Sequence, residues 1–244
     1  MIKSKRLWAA AGVVLLLAGI CVYSLLQEHK NRLYTQTTFQ MDTVLEYRFY
    51  GPHGEEAAKA VQERLTQFEN EVSLYLPDSQ ISRLNQAAGE DWVELSEDTF
   101  QLLALCKEYG QLSEGVFDVT IAPVSMEWGI TTQHPQVPSQ ERLEELLKLV
   151  DYRDILLDDA AHSAKLARKG QAVDLGGIKG FACRLAWETA KAYGVESASL
   201  SIGGNVLAIG TKPDGTPFRV GVRDPWGTAN DYMGILEMDR RSAS

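Results

Sequence analysis

The residues best suited to chemistry in this chain lie between Val173 and Cys183, a stretch that reads Val-Asp-Leu-Gly-Gly-Ile-Lys-Gly-Phe-Ala-Cys. The pattern predicts a strand that ends at Asp174, a turn at Gly176–Gly177 and a helix that begins near Lys179. Glycines allow a ligand to approach the backbone, and the first amides of a helix have no partner within it. The helix dipole and the lysine both add positive charge, which suits an anion. The carboxylate of Asp174 could accept hydrogen bonds from a sugar, a base or a flavin ring. As an alternative, the glycine pair closes an ordinary turn.

The elements that would position this stretch follow from the spacing of apolar residues. Alternation from Phe39 to Phe49 predicts one half-buried strand with Met41-Asp42-Thr43 in its middle, after a polar linker over residues 27–35. Apolar residues at steps of three and four predict a helix over residues 57–72. Further strands are predicted at residues 154–157, 164–168, 172–175, 197–201, 206–210 and 218–223, with a second glycine turn at 202–205.

Three further helices are predicted from their caps and apolar faces. Ser96 and Ser139 each stand where a helix N-cap is expected, and a third helix follows Lys179. Because strands and helices follow one another without strict alternation, the chain is predicted to have an α+β fold rather than a doubly wound sheet. The inward faces are predicted to carry Phe100, Leu103, Cys106 and Tyr109 on the helix after Ser96, and Ala182, Ala186, Ala190 and Tyr193 on the helix after Lys179.

Composition and charge exclude several classes of function. The net charge of −9 argues against a nucleic-acid binder, because neutralising phosphates requires clustered Lys and Arg. The three cysteines include no Cys-x-x-Cys pair and do not make a disulfide framework. The four histidines are scattered, so a zinc site is not expected.

The first 34 residues predict a membrane anchor. Leu7–Leu26 is an uncharged run of 20 residues, long enough to span a bilayer. Three basic residues precede it, which by the positive-inside rule leaves the N-terminus in the cytoplasm and residues 35–244 outside it. A cleaved secretory signal is an alternative, and lipidation of Cys21 is another.

Several short motifs occur along the chain in a fixed order. They are Met41-Asp42-Thr43, Ser73-Leu74-Tyr75, Ser79-Gln80-Ile81-Ser82, Gly115–Thr120, Trp128-Gly129, Asp174–Gly180, Ser201–Asn205 and Gly221–Pro225. Together they resemble the motifs of the FAD:protein FMN transferases, the ApbE-type flavin transferase family. The resemblance implies an α+β fold with mixed sheets and packed helices, in which residues 35–244 form the flavin transferase domain.

The resemblance also implies an activity. Such an enzyme takes FAD as its substrate, splits the pyrophosphate and attaches the FMN half to a Ser or Thr hydroxyl of an acceptor flavoprotein, such as a membrane redox subunit. An enzyme anchored in the inner membrane, with its catalytic domain on the periplasmic side, fits that task. Because the step is a phosphoryl transfer, Mg²⁺ would neutralise charge on the pyrophosphate. The alternatives are a catalytically inactive protein that binds or delivers FAD, and a domain whose glycine turns bind nothing.

Site residues follow from the resemblance, position by position. Lys179 would hold phosphate, and Tyr75 would stack on the ligand or form a hydrogen bond to it. Asp118 and Asp174 would form hydrogen bonds with polar edges of the ligand. For Asp118, capping of a local turn is an alternative. The backbone carbonyl of Gly177 would be a metal ligand, and no catalytic residue is assigned. The residues placed around the flavin and its diphosphate are Met41, Tyr75, Val116, Phe117, Asp118, Asp174 and Lys179.

The chain departs from the family pattern in two places. Family members have a small residue between the isoleucine and the lysine of the glycine motif, whereas here Lys179 follows Ile178 directly. One residue fewer at a helix start rotates the later residues of the helix by ~100°. Family members also continue beyond the position of Ser244, with the Asp and Thr side chains that hold the metal. The chain is therefore expected to be incomplete at its C-terminus and to transfer FMN poorly.

Overall fold

The chain forms two compact units. Unit 1 comprises Met1–Gln62 and Cys183–Ser244, and unit 2 comprises Glu63–Ala182, so unit 2 is inserted in sequence between the two parts of unit 1. The computed structural model describes residues 2–130, 132, 134–175, 178–228, 231–238 and 242–243. The domain boundary predicted between residues 34 and 35 stays a prediction.

Helices and strands follow one another without strict alternation, which confirms the α+β class. The helices are α1 (Ile2–Asn31), α2 (Gly54–Val72), α3 (Gln80–Gln86), α4 (Glu97–Leu112), α5 (Ala122–Trp128), α6 (Gln140–Leu147) and α7 (Ile178–Ala192). The strands are β1 (Leu33–Gln40), β2 (Thr43–Tyr50), β3 (Val93–Glu94), β4 (Ile155–Asp158), β5 (Ser163–Leu166), β6 (Ser197–Ile202), β7 (Asn205–Ile209), β8 (Phe218–Arg223), β9 (Tyr232–Met238) and β10 (Ser242–Ala243). Within the described residues the sheets are antiparallel, whereas mixed sheets were expected.

Unit 1 contains a five-stranded sheet in the order β1-β2-β6-β7-β10 and a separate ribbon of β8 and β9. The predicted strands at 197–201, 206–210 and 218–223 are confirmed, with small shifts at their ends. Alternate residues of β2 and β6 form a buried face, because successive side chains of a strand point to opposite sides. The residues on this face are Leu45, Tyr47, Phe49, Ala198, Leu200 and Ile202, each at most 1% exposed.

A two-residue turn at Met41–Asp42 separates β1 from β2, so the prediction of one continuous strand is wrong. Both residues have positive φ, +50° and +54°, as in the primed turns that match the twist of a hairpin. Such a turn reverses the phase of the alternation. Phe39 therefore pairs with Val44 on an exposed face, at 71% and 50% exposure, whereas the next residue, Leu45, is buried.

The N-terminal segment also differs from the prediction. Helix α1 continues to Asn31 and β1 begins at Leu33, so the linker predicted over residues 27–35 is wrong. The polar residues after Leu26 extend the helix because Gln, Glu and Lys are good helix formers. Within the part of the chain that the structure describes, no helix has both the length and the apolar character needed to cross a membrane. The anchor predicted within residues 1–34 stays a prediction.

Unit 2 contains the three-stranded sheet β3-β5-β4 together with helices α3 to α6. The predicted caps are confirmed. The hydroxyl of Ser96 accepts from the N–H of Thr99 at the start of α4, and that of Ser139 accepts from the N–H of Arg142 at the start of α6. These bonds satisfy amides that have no partner within the helix.

The strand predicted at 172–175 is not formed, and that prediction is wrong. Among the described residues, the pairing there is a single parallel bridge between Ala172 and Ile121. The physical reason is a side chain: Asn85 binds both the N–H and the C=O of Val173, so that residue has no group left for a ladder.

The inward faces of α4 and α7 are confirmed except at their ends. Phe100, Leu103 and Cys106 are buried, as are the three alanines predicted on α7. Tyr109 and Tyr193, however, are 53% and 45% exposed. Both stand at the C-terminal end of the apolar stripe, where a tyrosine can keep its hydroxyl in water.

Candidate functional site

The predicted ligand-binding residues are divided between the two units. Met41 lies in unit 1, whereas Tyr75, Val116–Asp118, Asp174 and Lys179 lie in unit 2. Gly177, the predicted metal ligand, lies outside the described residues.

Three serines hold the loop that presents Tyr75. Ser73 accepts a hydrogen bond from the N–H of Tyr75 through its hydroxyl at 3.2 Å. Ser79 donates its hydroxyl to the carbonyl of Ser73 at 2.5 Å and caps α3 by accepting from the N–H of Ser82 at 2.9 Å. The hydroxyl of Ser82 lies 3.1 Å from the carbonyl of Leu74. Ser79 and Ser82 are buried, so the backbone before Tyr75 is held firmly while the tyrosine itself is 57% exposed.

The residues that follow α4 present an apolar surface. Val116 is 92% exposed and Phe117 is 36% exposed. The N–H of Phe117 donates to the hydroxyl of Ser113, the C-cap of α4, at 3.0 Å. This bond ties the turn to the helix, so the two apolar side chains are presented from a fixed backbone and could contact a planar ring.

Asp118 braces a turn, which is the alternative that the sequence left open. Its Oδ1 accepts from the N–H of Thr120 at 2.8 Å and from the hydroxyl of Thr120 at 2.6 Å. Its Oδ2 accepts from the N–H of Tyr152 at 2.8 Å. The hydroxyl of Thr120, fully buried, in turn accepts from the N–H of Asp151 at 2.7 Å. Both carboxylate oxygens therefore hold the chain itself.

Asp174 lies beside the segment that contains Asp118. The N–H of Asp174 donates to the carbonyl of Val119 at 2.7 Å. The hydroxyl of Ser125 on α5 lies 3.3 Å from Oδ2 of Asp174, within hydrogen-bonding distance. Two of the predicted binding segments are thus joined directly, and the Asp174 carboxylate has a single donor from the described chain.

Asn85 is a residue of this site that sequence reasoning missed. Its Nδ2 donates to the carbonyl of Val173 at 3.0 Å, and its Oδ1 accepts from the N–H of Val173 at 2.8 Å. The contact joins the end of α3 to the residue that precedes Asp174. Asn85 lies three residues after Ser82 and so shares its face of the helix, but its partner is distant in sequence and no local pattern indicates it.

Lys179 lies in the first turn of α7, where the sequence predicts a helix to begin. It is half-buried, and this first turn contains no acidic residue. A cation at a helix N-terminus opposes the helix dipole, so an anion bound there would relieve the unfavourable interaction. The glycine turn before it lies outside the described residues, and the anion site stays a prediction.

An open cavity of about 730 Å³ lies in unit 2, within the size range of small-molecule pockets. Ser82 and Asn85 form part of its wall, and their polar atoms are hydrogen-bonded to the chain. The predicted binding residues do not line it. The lining residues are Leu74, Ser82, Asn85, Gln86, Pro123, Met126, Glu127, Gln136, Arg142, Leu146, Leu149, Gly170, Gln171 and Ala172.

In unit 1, two of the motifs pack together. The turn at Gly203–Gly204 is confirmed, and the N–H of Gly203 donates to the carbonyl of Val44 at 3.2 Å. A Cβ on Gly203 would lie 2.6 Å from Oγ1 of Thr43, too close for any side chain. The glycine turn therefore packs directly against the residue that follows Met41–Asp42, and Met41 itself is buried.

The described side chains offer neither a metal cluster nor a reactive thiol. Within the described ranges, no three His, Cys, Asp or Glu residues come together to hold an ion. Burial raises the pKa of Cys106 to about 12 and that of Cys183 to about 11. Both thiols are therefore protonated at neutral pH and are poor nucleophiles. Unit 2 presents an exposed aromatic ring and an exposed apolar pair, each able to contact a planar ring, and a helix N-terminal cation, which is able to contact a phosphate.

Comparison with known proteins gives a family match. The sequence model of the ApbE family matches residues 41–244. A relative from Klebsiella pneumoniae named FAD:protein FMN transferase is 26% identical over 213 residues, which covers 87% of this chain and 65% of the relative. A relative of the same name from Treponema pallidum is 29% identical over 215 residues, covering 81% of this chain and 59% of the relative. The chain thus spans less than two thirds of the length of these relatives.

Solved structures show the same fold. The crystal structure of the ApbE protein from Thermotoga maritima superposes with a TM-score of 0.79 at 28% identity, covering 86% of this chain and 69% of that one. The apo crystal structure of the flavinyl transferase ApbE from Pseudomonas stutzeri gives a TM-score of 0.75 at 25% identity, again covering 86% and 69%.

Proposed function

Because this chain belongs to the ApbE family, we propose that it is an FAD:protein FMN transferase. The observation that supports this most strongly is the family match over residues 41–244, which contains all the motifs that the resemblance rests on. The relatives at 26% and 29% identity are named for this activity. Since the chain spans only part of their length, its own activity is a proposal.

The proposed acceptor is a Ser or Thr hydroxyl of a flavoprotein. The hydroxyl oxygen forms a bond to the phosphorus of the FMN half of FAD, and the bond from that phosphorus to the bridging oxygen breaks. AMP leaves, and the hydroxyl proton passes to a base or to solvent. The residues of unit 2 would orient FAD: Tyr75 through its exposed ring, Lys179 through its charge and Asp174 through its carboxylate.

Magnesium enters this proposal through the resemblance alone. It would neutralise charge on the pyrophosphate during transfer. The described side chains form no metal cluster, and Gly177 lies outside the described residues, so no step is assigned to an ion. A dependence of adduct formation on added Mg²⁺, abolished by EDTA, would support it.

The proposed location is the inner membrane, with residues 35–244 on the periplasmic side and a membrane redox subunit as the acceptor. The support is the uncharged run Leu7–Leu26 and its basic N-terminal flank. Protease added to intact spheroplasts should digest this part of the chain. Complete protection would refute the proposed topology.

Flavin binding is the first test of the activity. FAD added to the 244-residue chain should lose fluorescence, and Lys179→Ala should weaken binding by about ten- to a hundredfold, because one charge-assisted contact contributes about 1.5–3 kcal/mol. Lys191→Ala is the matched control, since Lys191 lies in the last turn of the same helix. Equal affinities for the two variants would show that Lys179 does not hold phosphate.

Transfer is the second test. The chain is incubated with FAD, Mg²⁺ and an acceptor flavoprotein domain, and the acceptor is then analysed by mass spectrometry for covalent FMN. An adduct supports the transferase. Tight FAD binding without an adduct, under conditions where a curated relative forms one, would favour the inactive FAD-binding or delivery protein instead.

A further inference from the structure

Two polar side chains on one face of α3 contact two segments that are far apart in the sequence. Ser82 and Asn85 lie three positions apart, so they share a face of the helix. The hydroxyl of Ser82 lies 3.1 Å from the carbonyl of Leu74 and 3.3 Å from that of Ser73, the two residues before Tyr75. On the same face, Asn85 makes its two-way contact with Val173, the residue before Asp174.

Helix α3 is itself held in place by its N-cap and by its buried apolar side chains. Ser79 caps its first turn, and Ile81 and Leu84 are fully buried. A buried, capped helix of two turns is a rigid spacer, so the separation of Ser82 and Asn85 along its axis is fixed at about 4.5 Å. The backbone positions that precede Tyr75 and Asp174 are therefore set by the same short helix.

Burial of a polar side chain requires one hydrogen-bond partner, whereas Ser82 and Asn85 each contact two backbone groups. An amide that gives both a donor and an acceptor to one backbone residue replaces a strand neighbour, and it does so where the predicted strand at 172–175 is missing. Ser82 in turn lies within hydrogen-bonding distance of two successive carbonyls just before an exposed tyrosine. Each contact ends one or two residues before a predicted flavin contact.

We propose that Ser82 and Asn85 are positioning residues for FAD: Ser82 acts through Tyr75, and Asn85 acts through Asp174. This inference rests on the proposed function, because that function supplies the roles of Tyr75 and Asp174. In the proposed arrangement neither Ser82 nor Asn85 touches the flavin. Their effect on binding comes entirely through the backbone that they hold.

The first experiment measures the dissociation constant of FAD by fluorescence quenching for Ser82→Ala and Asn85→Asp. The aspartate keeps an acceptor for the N–H of Val173 but loses the donor to its carbonyl. Each variant should bind FAD about five- to thirtyfold more weakly, the effect of one lost buried hydrogen bond. Ser96→Ala is the matched control: it removes a capping hydroxyl in the same unit, and its affinity should change less than twofold. Circular dichroism checks folding, and Ser82→Cys and Asn85→Ser replace any variant that does not fold.

The second experiment separates positioning from a structural role. If Ser82 acts through Tyr75, adding Ser82→Ala to Tyr75→Ala should weaken binding no further, and the same holds for Asn85→Asp with Asp174→Ala. The crossed pair, Ser82→Ala with Asp174→Ala, should show losses that multiply. The proposal would be overturned if the losses of FAD affinity multiplied in the two matched pairs. It would also be overturned if the control variant Ser96→Ala bound FAD as weakly as Ser82→Ala and Asn85→Asp.

The FAD affinities of the parent, Tyr75→Ala and Asp174→Ala distinguish a failure of the proposed function from a failure of the positioning proposal. If Tyr75→Ala and Asp174→Ala bind FAD as the parent does, the contact assignments fail and the positioning proposal fails with them. If those two bind weakly while Ser82→Ala and Asn85→Asp bind as the parent does, only the positioning proposal is overturned.

Discussion

Replacing Asp118 with asparagine tests whether this residue holds a turn rather than a ligand. In the folded chain its carboxylate accepts two hydrogen bonds from Thr120 and one from the N–H of Tyr152. An asparagine can keep its oxygen on Thr120, but its amide nitrogen then faces the N–H of Tyr152. Two donors meet, and the backbone N–H of Tyr152 loses its acceptor.

The expected loss of stability follows from these three bonds. An unsatisfied, partly buried N–H costs about 1–3 kcal/mol, and a neutral acceptor in place of a charged one weakens the bonds to Thr120 by about 1 kcal/mol in total. The variant should therefore be less stable by about 2–4 kcal/mol, a large part of the total of about 5–15 kcal/mol for a folded domain. Asp214→Asn is the matched control, because Asp214 accepts the same two bonds from Thr216 at an exposed turn. Its loss should be much smaller.

The assay is urea unfolding followed by circular dichroism, with midpoint and slope compared among the parent and the two variants. A parent-like midpoint for Asp118→Asn, or equal losses for the two variants, would refute this role of Asp118 in the turn. FAD affinity is measured at low urea, where all the proteins are folded. A large loss of affinity without a loss of stability would place Asp118 at the ligand instead.

Two further predictions concern packing and thiol chemistry. Gly203→Ala should destabilise unit 1 because its new Cβ would contact Thr43, and adding Thr43→Ala should partly restore stability. In the control, Thr43→Ala added to Gly204→Ala should restore nothing, because nothing lies within 4 Å of a Cβ at Gly204. Urea unfolding measures stability, and additive losses in both double variants would contradict the contact. Cys106 and Cys183 should resist alkylation at pH 8 in the folded chain and react in urea, because burial raises each pKa from 9.0, and peptide mass spectrometry measures this. Between that ordinary pKa and the raised values, stability should fall as pH rises, since only the unfolded thiols ionise there.

Local signals in the sequence predicted much of the fold. The caps at Ser96 and Ser139 and the turn at Gly203–Gly204 were identified correctly, because each depends on the chemistry of a few neighbouring residues. The turn at Met41–Asp42 was missed for a complementary reason. Neither residue is a glycine, and the apolar alternation continues through the turn even though the faces are exchanged.

The candidate site depended more on contacts distant in sequence. The Asn85–Val173 pair spans 88 positions, and no periodicity or cap predicts it. The role of Asp118 was similarly underdetermined, since Asp-x-Thr fits both a ligand contact and a local turn. The partner of its Oδ2, the N–H of Tyr152, lies 34 residues away.

The insertion of unit 2 between β2 and β6 has a consequence for synthesis on the ribosome. The β1–β2 hairpin emerges early, yet the strand that pairs with the other edge of β2 begins only at Ser197, after all of unit 2. Pairing over so long a separation is slow, and an unpaired edge is a template for other chains. A nascent chain arrested before Ser197 would therefore expose the β2 edge and associate through it, whereas one that has released β6 and β7 would protect it.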